Sequence, residues 1–325
     1  MASNSQDSHP PRDANFFHCI TRCVRHASLW GFDTYAGRDC SHRKQWILDQ
    51  LRLQAEAFAI DVCAYAVLPN HYELVLHVDR QRVQRWNDTQ IIEQWRRRYT
   101  TGPSTPGQQS HAADLRSDAT PTQIEVLRSR LCDVSWYMRC INQRLSRRAN
   151  LEDGCTGTFW ERGSATHSLN DTHQLLVAMA HVDLGALRAG IAATFEDSQL
   201  TSLTDRLQAF TGRAVCRVSE SVVDTLGERA LLPFADSRPR RPPCAPWRSE
   251  DYLELLHWTS RAFGSSQRRF ITATLPPLLQ RVHIAPDAWH AAMRMPSRGF
   301  SRVLKRVRSC APEWQPIGAG FDDLH

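Results

Sequence analysis

The clearest periodicity in the chain runs through His71-Tyr72-Glu73-Leu74-Val75-Leu76-His77-Val78. Tyr72, Leu74, Leu76 and Val78 share one face of a strand, and His71, Glu73, Val75 and His77 share the other. The β-branched run at 60–67 reads as a second strand, joined to the first by a turn at Pro69-Asn70. Phe16 to Thr21 also has strand character, and 42–58 sets Trp46, Ile47, Leu51, Leu53 and Phe58 at helical spacings. The local order is therefore strand, helix, strand, strand.

Beyond this point the pattern turns helical. A charged helix is predicted over 79–99, with Trp86, Ile91, Ile92 and Trp95 as its apolar positions. A stretch at 100–122, dense in Gly, Pro, Ser and Thr, reads as a flexible connection. Long helices follow at 123–149 and 171–193, separated by a turn and an aromatic segment at 154–161. The organisation implied is a disordered tail at 1–14 and a core at 15–195 carrying a helical and flexible insertion at about 80–122. An irregular linker region at 196–240 and a C-terminal helical module at 241–325 complete it.

Composition narrows the function classes. The chain has 325 residues, 42% hydrophobic, enough for a sizeable core, and no apolar run approaches the ~20 residues of a membrane span. Forty Lys+Arg against 34 Asp+Glu give a net charge of +6, which permits a polyanionic partner without demanding one. Arginine supplies nearly all the positive charge, since Lys44 and Lys305 are the lysines; a GC-rich genome produces the same bias. The polar N-terminus lacks the apolar core of a signal peptide, so a reducing, cytoplasmic setting is expected. The ten cysteines, with no CxxC pair, then read as free thiols and not as a zinc site.

His71 and Glu73 carry the candidate chemistry. Residues two apart on a strand project from the same face with Cα atoms ~6.5 Å apart, so the pair can converge on one divalent ion. Taken alone, a His-x-Glu is more often a polar strand face than a metal site. Here it stands in a series of motifs. Pro69-Asn70-His71-Tyr72-Glu73 resembles the Pro-Asn-His-x-His turn and strand of the single-tyrosine HUH transposases, including the REP-associated branch. Phe17-His18-Cys19-Ile20-Thr21-Arg22 resembles that family's opening strand. Ser135-Trp136-Tyr137-Met138-Arg139 through Asn150 resembles its nucleophile helix, and Gly157-Thr158-Phe159-Trp160-Glu161 the segment after it.

The resemblance implies an α+β fold, a ferredoxin-like antiparallel sheet with helices on one face, plus the C-terminal helical module. It also implies a homodimer in the bacterial cytoplasm, associated with the nucleoid, that binds hairpin or single-stranded DNA. The family reaction is metal-dependent DNA cleavage and strand transfer through a phosphotyrosine. His71 and Glu73 would hold Mg²⁺ or Mn²⁺, Asn150 would be a third ligand, and Arg22, Arg139, Arg144, Arg147 and Arg148 would contact DNA.

Two departures bear on the chemistry. Glu73 replaces the second histidine, a change a hard cation tolerates, whereas Leu145 stands where the tyrosine belongs. Tyr137 is a candidate relocated nucleophile, but it also forms an i, i+4, i+8 stripe with Ile141 and Leu145, the spacing of a buried helix face. Asn150 serves equally as a polar helix cap, and His77 lies ~20 Å along the strand from His71. Three readings stay open: a DNA-binding protein with impaired cleavage, an active transposase using Glu73 and a relocated nucleophile, and a non-catalytic protein-interaction scaffold.

Overall fold

The computed structural model describes residues 15–24, 28–34, 37–98, 119–161, 165–211, 226, 231–236, 244–263, 275–300, 302 and 304. The expected tail at 1–14, most of the connection at 100–122, the Pro- and Arg-rich stretch at 238–243 and the basic residues from 305 onward lie outside these.

The strand–helix–strand–strand order seen in the sequence is the core of the fold. β1 (Phe16–Arg22) is followed by a small hairpin, β2 (Phe32–Asp33) and β3 (Arg38–Asp39), then α1 (Arg43–Ala57), β4 (Ile60–Leu68) and β5 (His71–Val78). After three helices, α2 (Arg80–Arg85), α3 (Asp88–Arg97) and α4 (Pro121–Arg130), the long α5 (Val134–Glu152) leads to β6 (Ala165–Leu169). The four long strands form an antiparallel sheet in the order β4-β5-β1-β6, and the fold class is α+β.

Two of the long predicted helices are divided, each by a side-chain cap. In the charged segment, Asn87 and Gln90 exchange side-chain and backbone hydrogen bonds at 2.9 Å, so α3 starts afresh after α2. Downstream, the Asp133 carboxylate accepts from the Trp136 amide at 2.9 Å and separates α5 from α4. Apolar periodicity runs on through both breaks, which is why it alone does not reveal them.

One face of the sheet carries Phe17, Cys19, Tyr72, Leu74 and Leu76, and packs on Ile47, Leu48 and Leu51 of α1 and Tyr137, Ile141 and Leu145 of α5. The other presents Phe16, Ala64, Ala66 and Val75 to α6 (Thr172–Asp183), which is buried along most of its length. The short α7 (Gly185–Arg188) and α8 (Ser202–Thr211) follow. From residue 244 the chain returns to this second face as α9 (Ser249–Ser260), α10 (Pro277–Arg281) and α11 (Pro286–Arg294). Tyr252, Leu255, Leu256, Trp289, Met293 and Phe300 join the same core as Val75 and α6. Within it, the Asp183 carboxylate accepts from Tyr252 Oη at 2.6 Å and from Ser202 Oγ, tying α6, α8 and α9 together. Burial pushes the Asp183 carboxyl up, and these hydrogen bonds oppose it. The outer edge of β4 is covered by backbone pairing to Leu200 and Leu232, so that edge is not open to another chain.

Because the second face is completed by α9 to α11, a chain ending at residue 243 is expected to lose cooperative unfolding and near-ultraviolet circular dichroism. A sigmoidal denaturation with an unchanged midpoint would show that the helices after 244 are dispensable.

Candidate functional site

Antiparallel register sets Ile20 opposite Glu73 and Arg22 opposite His71, so the polar face of β5 meets the face of β1 that carries His18 and Arg22. Glu73 sits at the centre, fully buried, with 0% exposure. Its Oε2 accepts from His18 Nε2 at 3.0 Å. Its Oε1 accepts from Ser297 Oγ at 2.5 Å, from His71 Nε2 at 3.3 Å and from Arg188 Nη2 at 3.4 Å. His181 Nε2 stands 3.9 Å from Oε2. The cluster draws one residue each from β1, α6, α7 and the segment after α11, with two from β5.

Phe300 closes the site, stacked on the His181 ring at 3.6 Å and edge-on to His18 at 5.2 Å. Burial alone would raise the Glu73 carboxyl, but hydrogen bonds from His18 and His71 outweigh it and hold it well below the usual carboxylate range. Burial, reinforced by the Arg188 guanidinium, drives His181 well below the ordinary imidazole value; burial also lowers His71. Arg188 places a guanidinium 3.4 Å from Oε1, a countercharge to Glu73 in a pocket where burial disfavours protonation of His71 and His181.

These residues do not fit a divalent metal. Both Glu73 oxygens are already taken by donors, and a guanidinium occupies the cationic position beside Oε1. Among the described residues no group of three or more His, Cys, Asp or Glu is disposed to hold an ion. Asn150 belongs to the other layer, at the end of α5, where its amide donates to the Gly157 carbonyl at 2.9 Å. His77 pairs with Asp61 at 3.2 Å near the far end of β5.

The expected site residues therefore divide between the two sides of the sheet. His71, Glu73 and Arg22 lie on one side, Arg22 close enough to act electrostatically on His71 and Arg188. Tyr137, Arg139, Arg144, Arg147, Arg148 and Asn150 lie on α5, across the sheet. Tyr137 is fully buried, edge-on to Phe58 at 5.4 Å, and its hydroxyl has no hydrogen-bond partner among the described residues. Burial raises its pKa, and with Leu145 it forms the packed stripe of α5.

The outward face of α5 has a different character. Arg139, Arg147 and Arg148 are exposed and Arg144 is half-buried, with no acidic residue from Val134 to Leu151. Half-buried tryptophans flank the arginines. Arg130 and Arg139 lie over Trp136, at 4.4 and 5.0 Å from the ring centre, and Arg148 lies over Trp46 of α1 at 3.9 Å. Lys44 covers Trp30 at 4.2 Å. The acids that end the helix are engaged: Glu152 binds Arg43 at 3.1 Å and His42 at 2.9 Å, and Asp153 binds Arg43 and Arg38.

Sequence reading did not single out His181, Arg188 or Ser297, and it placed His18 in a motif without giving it a role. Strand alternation puts His18 on the face of Phe16 and Ile20, which is the one signal that could have found it. His181 stands in an apolar helix, and Ser297 is 224 residues from Glu73 in sequence.

No family model matches the chain, and no curated protein is similar to it. Among solved structures it is similar to a REP-associated tyrosine transposase bound to a REP hairpin, at a TM-score of 0.33 and 11% identity. The match covers 66% of this chain and 92% of that one. Among the described residues, no helix is long and apolar enough to cross a membrane.

Glu73→Gln leaves Arg188 buried without its countercharge and is expected to cost about 3–5 kcal/mol in chemical denaturation. The melting temperature should fall on acidification. His71 and His181 resist protonation in the fold but take up protons near 6.5 when unfolded, so stability declines as pH drops through that value. The depressed Glu73 carboxyl adds stability that is present above its unfolded value of 4.5 and is lost as pH falls further. A flat melting profile from pH 7.5 to 4 would contradict this account. Tyr137→Phe, which removes a buried hydroxyl that has no partner among the described residues, should leave stability unchanged or raise it by about 1 kcal/mol.

Proposed function

We propose that the chain is a DNA-binding protein that recognises structured or single-stranded DNA through the outward face of α5 and does not cut it. The observation that carries this reading is the run of Arg139, Arg144, Arg147 and Arg148 on a helix with no acid from Val134 to Leu151. A guanidinium matches phosphate oxygens in a bidentate fork, and Arg144, Arg147 and Arg148, three and four residues apart, are neighbours on the helix surface. Arg22, on the opposite side of the sheet, contributes instead to the positive surroundings of His71 and Arg188.

A nicking enzyme of the type the sequence resembles needs an accessible cation and a nucleophile close to it. Glu73 is sealed beneath Ser297 and Phe300 and paired with Arg188, while Tyr137 is buried on the other side of the sheet. The motifs are ones associated with strand transfer, used here for binding.

Binding to a hairpin with a single-stranded flank should weaken steeply with salt. Replacing both Arg147 and Arg148 by Ala should lower the slope of log K against log salt by about 1.4, at ~0.7 for each phosphate no longer neutralised. Equal affinity of the wild type for the hairpin and for random duplex at moderate salt would count against the proposal. Incubation of labelled hairpin with Mn²⁺ should give no covalent adduct, and an adduct abolished by Tyr137→Phe would establish the enzyme reading instead.

A further inference from the structure

Along α5 the cation–aromatic pairs stand at two stations. Trp136 lies near the helix start with the guanidinium groups of Arg130 and Arg139 over its ring, and Arg148 reaches over Trp46 near the helix end. Twelve residues of α-helix separate positions 136 and 148, an axial distance of ~18 Å. That is the rise of about five stacked nucleotides at 3.4 Å each. Arg144, half-buried, and Arg147, exposed, fall between the stations, ~60° apart around the helix.

We infer that Trp136 and Trp46, each with its overlying arginine, are base-stacking positions for one segment of single-stranded DNA of about five to six nucleotides, with Arg144 and Arg147 on the phosphates between them. This rests on the DNA-binding reading and specifies its ligand. The commitment to a single strand follows from the aromatic groups. In a duplex the base faces are occupied by their neighbours, so half-buried indoles gain nothing, whereas every unpaired base offers a π-face to a ring or a guanidinium plane. The charge matches a backbone: of the acids near Arg148, Asp49 and Glu152, the second is held by Arg43 and His42. Planar guanidinium groups already seated over the rings hold the stacking surface in place before the ligand arrives, which reduces the ordering cost of binding.

The test uses the full chain, oligothymidylates of about four and about eight nucleotides, a duplex and an oligouridylate of the longer length, and fluorescence anisotropy at fixed salt. The longer oligothymidylate should bind at least ~10-fold more tightly than the shorter strand and the duplex. Trp136→Leu and Trp46→Leu, which keep apolar volume but remove the π-face, should each weaken it ~10-fold, while Trp136→Phe and Trp46→Phe stay within ~3-fold of wild type. Melting curves of the Leu and Phe variants should coincide, so that a difference in affinity is not a folding defect. A 2-aminopurine placed in the strand should lose emission on binding, and Trp136→Leu or Trp46→Leu should restore it at one position. If the wild type binds DNA with a salt slope but Leu variants bind as it does, or the duplex binds equally, the stacking inference is overturned and the DNA-binding reading stands. Wild type that binds none of these oligonucleotides overturns both. Tighter binding of the oligouridylate overturns DNA as the ligand.

Discussion

A carboxylate at the middle of a buried sheet face is the constraint around which the second half of the fold is arranged. Removing an ionised side chain from water costs several kcal/mol even after relaxation, so Glu73 is tolerable there only if donors saturate it. His18 and His71 come from the sheet itself, Arg188 from the helix that follows α6, and Ser297 from the distant end of the described chain. Each donor is brought by an element that also buries apolar surface on the same face, so polar satisfaction and core packing specify the same arrangement. Replacing Glu73 by an apolar residue of its size while leaving Arg188 in place would only move the unpaired charge from one partner to the other.

The sheet also acts as a partition. Strand alternation sends His71, Glu73 and Arg22 to one side and the aromatic residues facing α1 and α5 to the other. Chemistry that required a group from α5 to meet Glu73 would have to pass through the strands. The basic surface and the buried ionic centre are therefore independent parts of the molecule: the first faces solvent and keeps its charge, and the second is closed and neutralised within itself.

Much of this was legible in the sequence. The period-two pattern of 71–78, the turn at Pro69-Asn70 and the helical spacing in 42–58 correspond to β5, its hairpin and α1 with small shifts at the ends. The stripe of Tyr137, Ile141 and Leu145 is the packed face of α5, as helical spacing suggests. Less visible were the breaks at Asn87 and Asp133, where single capping side chains override a periodicity that continues across them. Least visible were the partners of Glu73. Which residues meet a buried carboxylate depends on contacts between distant segments, and neither His181, in a helix apolar on every side, nor Ser297 differs locally from an ordinary core or loop residue. Helical spacing alone groups Trp46 with Ile47 and Leu51, and its pairing with Arg148 depends on how α1 lies against α5.

The separation of 224 residues between Glu73 and Ser297 has a consequence for how the molecule reaches this state. During synthesis the sheet strands emerge long before the segment that completes their second face. A sheet with that face uncovered would carry an ionised side chain and a broad apolar surface together. An ionised carboxylate holds water on such a face, which opposes association with other apolar surfaces. In the complete fold the same group accepts from Ser297 and Arg188, so a single charge that opposes association of an open face also fixes the closed one.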